Sequence, residues 1–164
     1  MNAPTIRPVD FDDPACTADF LDLLDHYMRS PSGNGQPMTA ELRSRLPAEL
    51  CKRPTVLSFI AYQEGRAAGL INCVEGFSTF AGKPLLNIHD IIVHQDFRRR
   101  GIARALLAHA ERTAVERGCC KLTLEVLEGN TGAREAYTGF GFQGYQLDPA
   151  MGQALFMEKK LQVR

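Results

Sequence analysis

L-L-N-I-H-D-I-I-V-H-Q-D-F-R-R-R-G-I-A-R-A-L-L-A-H-A, running from Leu85 to Ala110, is the stretch whose reading decides the fold. Residues 85–93 are rich in Leu, Ile and Val and too short for an ordinary buried helix, so they predict a buried strand. Arg98, Arg99, Arg100 and Gly101 read as a turn. From Gly101 the period becomes helical: Ile102, Leu106, Ala110 and Ala114 share one face, with Leu107 beside them. Arg104, Glu111, Arg112 and Glu116 lie towards the other face, and Gly118 is a favoured stop.

Chemistry can gather at that turn. A helix start leaves backbone N–H groups unpaired and carries partial positive charge, which suits phosphates. Gly101 permits close approach of a ligand to the backbone because it has no side chain. Two familiar phosphate loops are excluded, since the turn holds neither G-x-x-x-x-G-K-[ST] nor G-x-G-x-x-G.

The rest of the chain extends this pattern outward. Residues 5–9 predict a first strand. Pro14 opens a helix whose apolar stripe is Phe20, Leu23, Leu24, Tyr27 and Met28. Residues 30–37, S-P-S-G-N-G-Q-P, are a loop by composition, either a lid over a substrate or a plain connector. Residues 39–51 predict a second helix capped by Thr39 and limited in regularity by Pro47. Residues 55–62 and 66–75 predict strands joined by a Gln63-Glu64-Gly65 hairpin turn, and residues 76–83 a loop. After the helix that opens at Ile102 come a strand at 121–127, a short helix at 130–140, and two closing strands at 142–147 and 154–160. The expected architecture is mixed α/β: a mostly antiparallel seven-stranded sheet with helices on both faces. Residues 1–164 read as one domain.

Charge narrows the partners. Lys plus Arg and Asp plus Glu number 19 each, so there is no basic excess of the kind a general nucleic-acid binder carries. No apolar run approaches the roughly 20 residues of a membrane span, and no secretory signal is visible at the N-terminus. Five cysteines without a C-x-x-C spacing read as reduced packing residues of a cytoplasmic protein. No His, Cys and carboxylate cluster has metal-ligand spacing, so no metal is expected.

R-x-x-G-x-A, from Arg98 to Ala103, follows a buried strand ending in Val93, and the chain later reads L-E-V-L-E-G-N-T-G-A-R-E-A-Y-T-G-F-G-F. The first motif resembles the acyl-coenzyme A signature of the GNAT acetyltransferase superfamily. The second, with Asn130, Ala133, Tyr137 and Gly141-Phe142, resembles the same superfamily's following segment. Asn87-Ile88-His89-Asp90 also looks like one branch of it. Together the likeness spans residues 59–161.

The resemblance implies the GNAT fold and acetyl transfer from acetyl-CoA to a primary amine of an unidentified acceptor, by direct attack in a ternary complex. It implies that Ile91, Ile92 and Val93 offer backbone groups to the pantetheine arm as an added strand would, beside a bulge. It implies that Arg98, Arg99, Arg100, Gly101, Ile102, Ala103 and Arg104 hold the pyrophosphate through backbone N–H groups. Asn130 is a helix N-cap by its own chemistry and a pantetheine contact by resemblance, and the two roles are compatible. Tyr137 is either a core aromatic or, by resemblance, the acid that protonates the departing sulfur and a contact to the cofactor.

The base is open between His89, whose imidazole class has an ordinary pKa of about 6.5, and a chain of water. His89 can equally be a hydrogen-bonded strand histidine. Strict alternation sets Asn87, His89 and Ile91 on one face and Leu86, Ile88, Asp90 and Ile92 on the other, unless a bulge breaks the phase. His26, His94 and His109 read as surface or interface residues. The partner is a small-molecule or peptide amine, and a homodimer is allowed. A non-catalytic acyl-CoA-binding module on the same fold is the alternative function.

Overall fold

The computed structural model describes residues 3–162. Strand β1 (Thr5–Pro8) is followed by helix α1 (Pro14–Met28) and helix α2 (Ala40–Cys51). Three long strands follow: β2 (Val56–Gln63), β3 (Arg66–Ser78) and β4 (Lys83–Val93). Helix α3 (Ile102–Glu116), short strand β5 (Leu122–Leu124) and helix α4 (Thr131–Phe140) complete the regular structure, with short 3-10 turns at Gln95–Phe97 and Pro149–Met151.

Local chemistry explains the helix starts. The Ala15 N–H donates to the Asp13 carboxylate at 2.9 Å, with Pro14 in the first turn, and the Leu42 N–H donates to the Thr39 hydroxyl at 3.2 Å. Helix α2 runs through Pro47 to Cys51. Glu64 and Gly65 both take left-handed backbone (φ 53° and 76°), the pairing that a tight two-residue hairpin between β2 and β3 requires.

The sheet order is β1-β2-β3-β4-β5; the first three pairings are antiparallel, and β4 pairs with β5 in parallel. Helix α3 makes the crossover between that parallel pair. Ile102, Leu106, Leu107 and Ala110 of α3 bury against Ile71, Cys73, Leu86 and Ile88 on one face of the sheet, where Tyr137 and Phe140 of α4 also pack. On the opposite face Phe20, Leu21 and Leu23 of α1 cover Ile60, Leu70 and Ile92, with Leu46 and Leu50 of α2 alongside. Helices therefore lie on both faces.

The sheet has five strands among the described residues, not the expected seven. Residues 142–147 and 154–160 form no ladder; a single backbone bond, Ala154 N–H to the Tyr145 carbonyl at 3.2 Å, joins them. Tyr145, Leu147, Leu155, Phe156 and Met157 stand exposed. Alternating side chains describe a strand's two faces, but a strand exists only where a second backbone pairs with it. The expected strand at 121–127 is likewise cut to Leu122–Leu124, because β4, its one neighbour among the described residues, pairs with it no further than Ile88.

Candidate active site

Beyond Ile88, strand β4 changes course. Cys73 on β3 faces Ile88 and Asn72 faces Asp90, so His89 is an extra residue with no partner across the ladder. This is a β-bulge, and it breaks the phase that strict alternation gives. Leu86 and Ile88 point to the α3 face, whereas Ile92 points to the α1 face and Ile91 and Val93 join the α3 side.

The bulge lies where β4 and β5 part. Pairing with β5 covers Leu86, Asn87 and Ile88 only, so among the described residues the β5-side edge of β4 from His89 to Val93 has no ladder partner. A cavity of about 790 Å³ fills the resulting wedge, a size within the usual range for small-molecule sites. Ile91, Ile92 and Val93 line one side, and Leu124, Glu125, Val126 and Leu127 the other.

Two helix starts face this space. At α3 the first helical bond runs from the Ala105 N–H to the Gly101 carbonyl, and no side chain caps the amides before it. Gly101 is left-handed (φ 78°), and a Cβ built there would meet nothing within 4 Å. Open space in front of unclaimed amides fits a phosphate. Arg98 and Ala103 line the cavity. Arg100 instead lays its guanidinium over Phe97 at 5.4 Å, the Ile102 side chain is buried in the core, and Arg99 and Arg104 stand exposed. Of the seven residues expected to hold a pyrophosphate through backbone N–H groups, Arg98 and Ala103 line the cavity; the side chains of Arg100 and Ile102 are engaged elsewhere, which leaves their backbone groups as what they can offer. At α4, the Asn130 side chain accepts from the Ala133 N–H at 3.3 Å, as a cap should. Its amide donates to the Ser32 hydroxyl at 3.2 Å, tying α4 to the loop after α1.

Tyr137 lines the cavity from α4, half-buried and edge-on to Phe142 at 6.2 Å. Burial, reinforced by the nearby Tyr27, pushes its phenol up to about 12, so it keeps its proton at neutral pH. His89 is exposed and lines the same cavity. The sequence-derived candidates His89, Ile91, Ile92, Val93, Arg98, Ala103, Asn130 and Tyr137 thus meet in one space.

The α1 side of the cavity was not legible beforehand. His26, Tyr27, Ser30, Ser32 and Gly33 line it. The 30–37 loop composition was the one available signal, and the loop forms a wall of the site. His26 and His94, read as surface or interface residues, are half-buried and stacked on one another at 4.7 Å, where the end of α1 meets the turn after β4. Burial, then the charges of His94 and Arg98, hold the His26 imidazole below its ordinary value. His109 is also half-buried, edge-on to Phe59 at 4.5 Å.

Behind the bulge a polar row crosses the sheet. The Ser58 hydroxyl donates to Asn72 Oδ1 at 2.7 Å, and Asn72 Nδ2 donates to Asp90 Oδ2 at 3.0 Å. Among the described residues, no group of three or more His, Cys, Asp or Glu side chains could hold a metal, and no helix is long and apolar enough to cross a membrane.

A wedge between parallel strands, an uncapped helix start, an Asn-capped one and a phenol thus share one cavity. Residues 20–142 match the model of the Acetyltransferase (GNAT) family, and the chain belongs to that family, whose members are acyltransferase enzymes. The N-alpha-acetyltransferase MAK3 of Arabidopsis thaliana is 36% identical over 88 residues, 52% of this chain, and the match spans 44% of that relative's length. An aminoglycoside N(6')-acetyltransferase type 1 of Salmonella typhimurium is 27% identical over 125 residues, 73% of this chain and 85% of its own. In fold, the chain is similar to AAC(6')-Iy, solved in complex with the bisubstrate analogue CoA-S-monomethyl-acetylneamine: TM-score 0.74 at 19% identity, covering 98% of this chain and 100% of that one.

Proposed function

We propose that the protein is an N-acetyltransferase that moves the acetyl group of acetyl-CoA to a primary amine of a small molecule, by direct attack in a ternary complex. One observation carries this reading: Tyr137, His89, Asn130 and the unpaired edge of β4 meet in a single cavity at the start of α3. The unclaimed amides after Gly101, with Arg98, would hold the pyrophosphate. The free edge at Ile91, Ile92 and Val93 would hold the pantetheine amides as an added strand does. Bound there, acetyl-CoA supplies an activated acetyl thioester.

The chain's own groups then handle protons. His89, exposed on the bulge, takes a proton from the acceptor's ammonium and leaves the amine free to attack. Tyr137, still protonated, gives its proton to the leaving sulfur. Relatives named for aminoglycoside and streptothricin acetylation support a small-molecule acceptor. Free thiols at all five cysteines fit a cytoplasmic setting.

The test is release of coenzyme A thiol with an amine panel containing an aminoglycoside, a diamine and a peptide N-terminus. Turnover of at least one is expected, and cofactor binding without turnover of any would overturn the reading. Tyr137→Phe keeps the ring and its packing while removing the hydroxyl. It should leave acetyl-CoA affinity intact and lower turnover by a factor of roughly 10² to 10⁴. Turnover within about threefold of wild type would remove the acid role, since that is small beside the usual range.

A further inference from the structure

Three side chains lining the cavity are able to carry positive charge: Arg98, His89 and His26. The acetyl-transfer reading uses the first two and leaves His26 without a task. Its ring is half-buried in the last turn of α1, and neither ring nitrogen makes a hydrogen bond among the described residues. Neither nitrogen is sealed from solvent. A half-buried imidazole that serves packing alone normally hands its N–H to an acceptor. His26 keeps both nitrogens free beside an open space.

Its ring is held where Arg98 enters the cavity. It stacks on His94 with 4.7 Å between centroids and 27° between planes. His94 is itself fixed, since the Asp96 N–H donates to its Nδ1 at 3.3 Å; the neutral ring then carries its proton on Nε2. His94 opens the short turn Gln95–Phe97 that delivers Arg98. The Phe97 N–H donates to the His94 carbonyl at 2.9 Å and the Arg98 N–H to the Gln95 carbonyl at 3.4 Å. His26 and Arg98 thus share His94 as a support, and both line the cavity together with Ala103 from the first turn of α3. His89 sits on the bulge instead, before Ile91, Ile92 and Val93. The Arg98 guanidinium has no carboxylate within 4.0 Å among the described residues. A pyrophosphate diester carries more negative charge than one guanidinium balances, and an imidazole that gains a proton supplies more.

We propose that His26 is a phosphate ligand of this site, donating a ring N–H to the pyrophosphate of coenzyme A beside Arg98. This inference rests on the acetyl-CoA reading and adds to it a pH dependence of donor affinity. Burial, then the charges of His94 and Arg98, hold the free imidazole below its ordinary value, opposed by Asp96 on the turn and Asp25 on α1. A second cavity on the far side of His26 and His94 is lined by Asp19, Asp22, Arg29 and Arg66. There Arg29 pairs with Asp25 at 2.8 Å and Arg66 with Asp96 at 3.2 Å. The other titratable groups lining the main cavity are Tyr27, His89, Glu125 and Tyr137. A phosphate beside His26 offsets the charge of Arg98 and favours the imidazolium, so the cofactor binds with uptake of a proton.

The test uses the full chain with dephospho-coenzyme A as probe. That molecule keeps the pyrophosphate and lacks the phosphate monoester, which would itself titrate at about pH 6. In calorimetric titrations between about pH 8 and pH 5, wild-type affinity should rise roughly tenfold towards the acid end, the effect of raising the ring's pKa by about one unit. In His26→Gln, which keeps an N–H donor but takes up no proton, that rise should be lost. A wild-type affinity flat in pH, or a slope that His26→Gln retains, overturns the proposal. A second measurement needs neither the variant nor an acceptor. By NMR, with ring resonances assigned through the backbone, the His26 imidazole should titrate at least about one unit higher in protein saturated with the probe than in free protein. A His26 titration unmoved by the probe overturns the proposal. If the probe binds and no amine is turned over, the acetyl-transfer reading falls while the His26 contact stands or falls on its own titration. If neither acetyl-CoA nor the probe binds, inorganic pyrophosphate takes the probe's place in the NMR titration: a raised His26 supports the contact, and an unmoved one overturns it.

Discussion

Gly69 sits on β3 opposite Val93, beneath the first turns of α3. A Cβ at this position would lie 2.7 Å from the Ile92 carbonyl oxygen, 2.8 Å from Ile102 Cγ2 and 3.1 Å from Leu106 Cδ1. Ile102 and Leu106 are 1% and 0% exposed, so neither side chain has free space to enter. To reach an ordinary contact, the Ile92 carbonyl would have to retreat from 2.7 to 3.4 Å, and it belongs to a hydrogen-bonded ladder. Overpacking of this kind costs about 1–3 kcal/mol. Relief of glycine's extra chain entropy returns about 0.5–1 kcal/mol. At the middle of these ranges Gly69→Ala should lose about 1 kcal/mol, which for a domain of this size lowers Tm by roughly 2–4 °C. Because Ile102 opens α3, acetyl-CoA affinity should fall with it. Thermal unfolding followed by circular dichroism and a calorimetric titration of acetyl-CoA read both effects. Gly76→Ala is the control: its nearest new neighbour, Leu85 Cδ1, lies at 3.4 Å, so Tm should barely move. A Gly69→Ala protein melting at or above wild type would refute the packing argument.

Three further outcomes are expected. Gly101→Val carries a left-handed strain of about 1–2 kcal/mol and fills the open space before the α3 amides; acetyl-CoA affinity should drop at least about tenfold if one charged hydrogen bond is lost, and unchanged affinity in a folded variant removes the phosphate cradle from this turn. His89→Ala should lower the acidic limb of the kcat/KM profile and spare cofactor binding; a wild-type profile would mean that proton removal runs elsewhere. His26, held below its ordinary value in the fold, binds a proton more readily when unfolded. Its stability contribution is thus complete above about pH 6.5 and declines as pH falls below that. His26→Gln should flatten the fall of Tm between pH 7 and 5, and an unaltered slope would refute the sign.

Local rules made much of this molecule legible. The Asp13, Thr39 and Asn130 caps, the stripe along α3 and the Glu64-Gly65 turn each depend on neighbours a few residues apart, and each formed where its chemistry pointed. Ile91, Arg98, Asn130 and Tyr137 were found together because two short motifs flank one crossover. The failures share a different cause. His26 and Tyr27 enter the site through the docking of α1 on the sheet; the apolar stripe that includes Tyr27 announced a buried face but not which part of the sheet it meets. The face of Asp90 depends on one inserted residue. Residues 142–147 and 154–160 have the alternation of strands, but alternation is silent about whether a partner backbone is present.

The bulge at His89 has a consequence for how this strand tolerates change. Ile88 and Asp90 already face adjacent β3 residues, Cys73 and Asn72, and already point to opposite sides. Removing residue 89 altogether would therefore join two halves whose frames agree, with no side chain sent to the wrong layer. A position of this sort is a parenthesis in the chain: it can be closed without rewriting the text on either side. The sheet carries His89 as a passenger rather than a girder. Architecture and chemistry are thereby uncoupled at one residue, so that what the site does can vary while the scaffold that presents it stays the same.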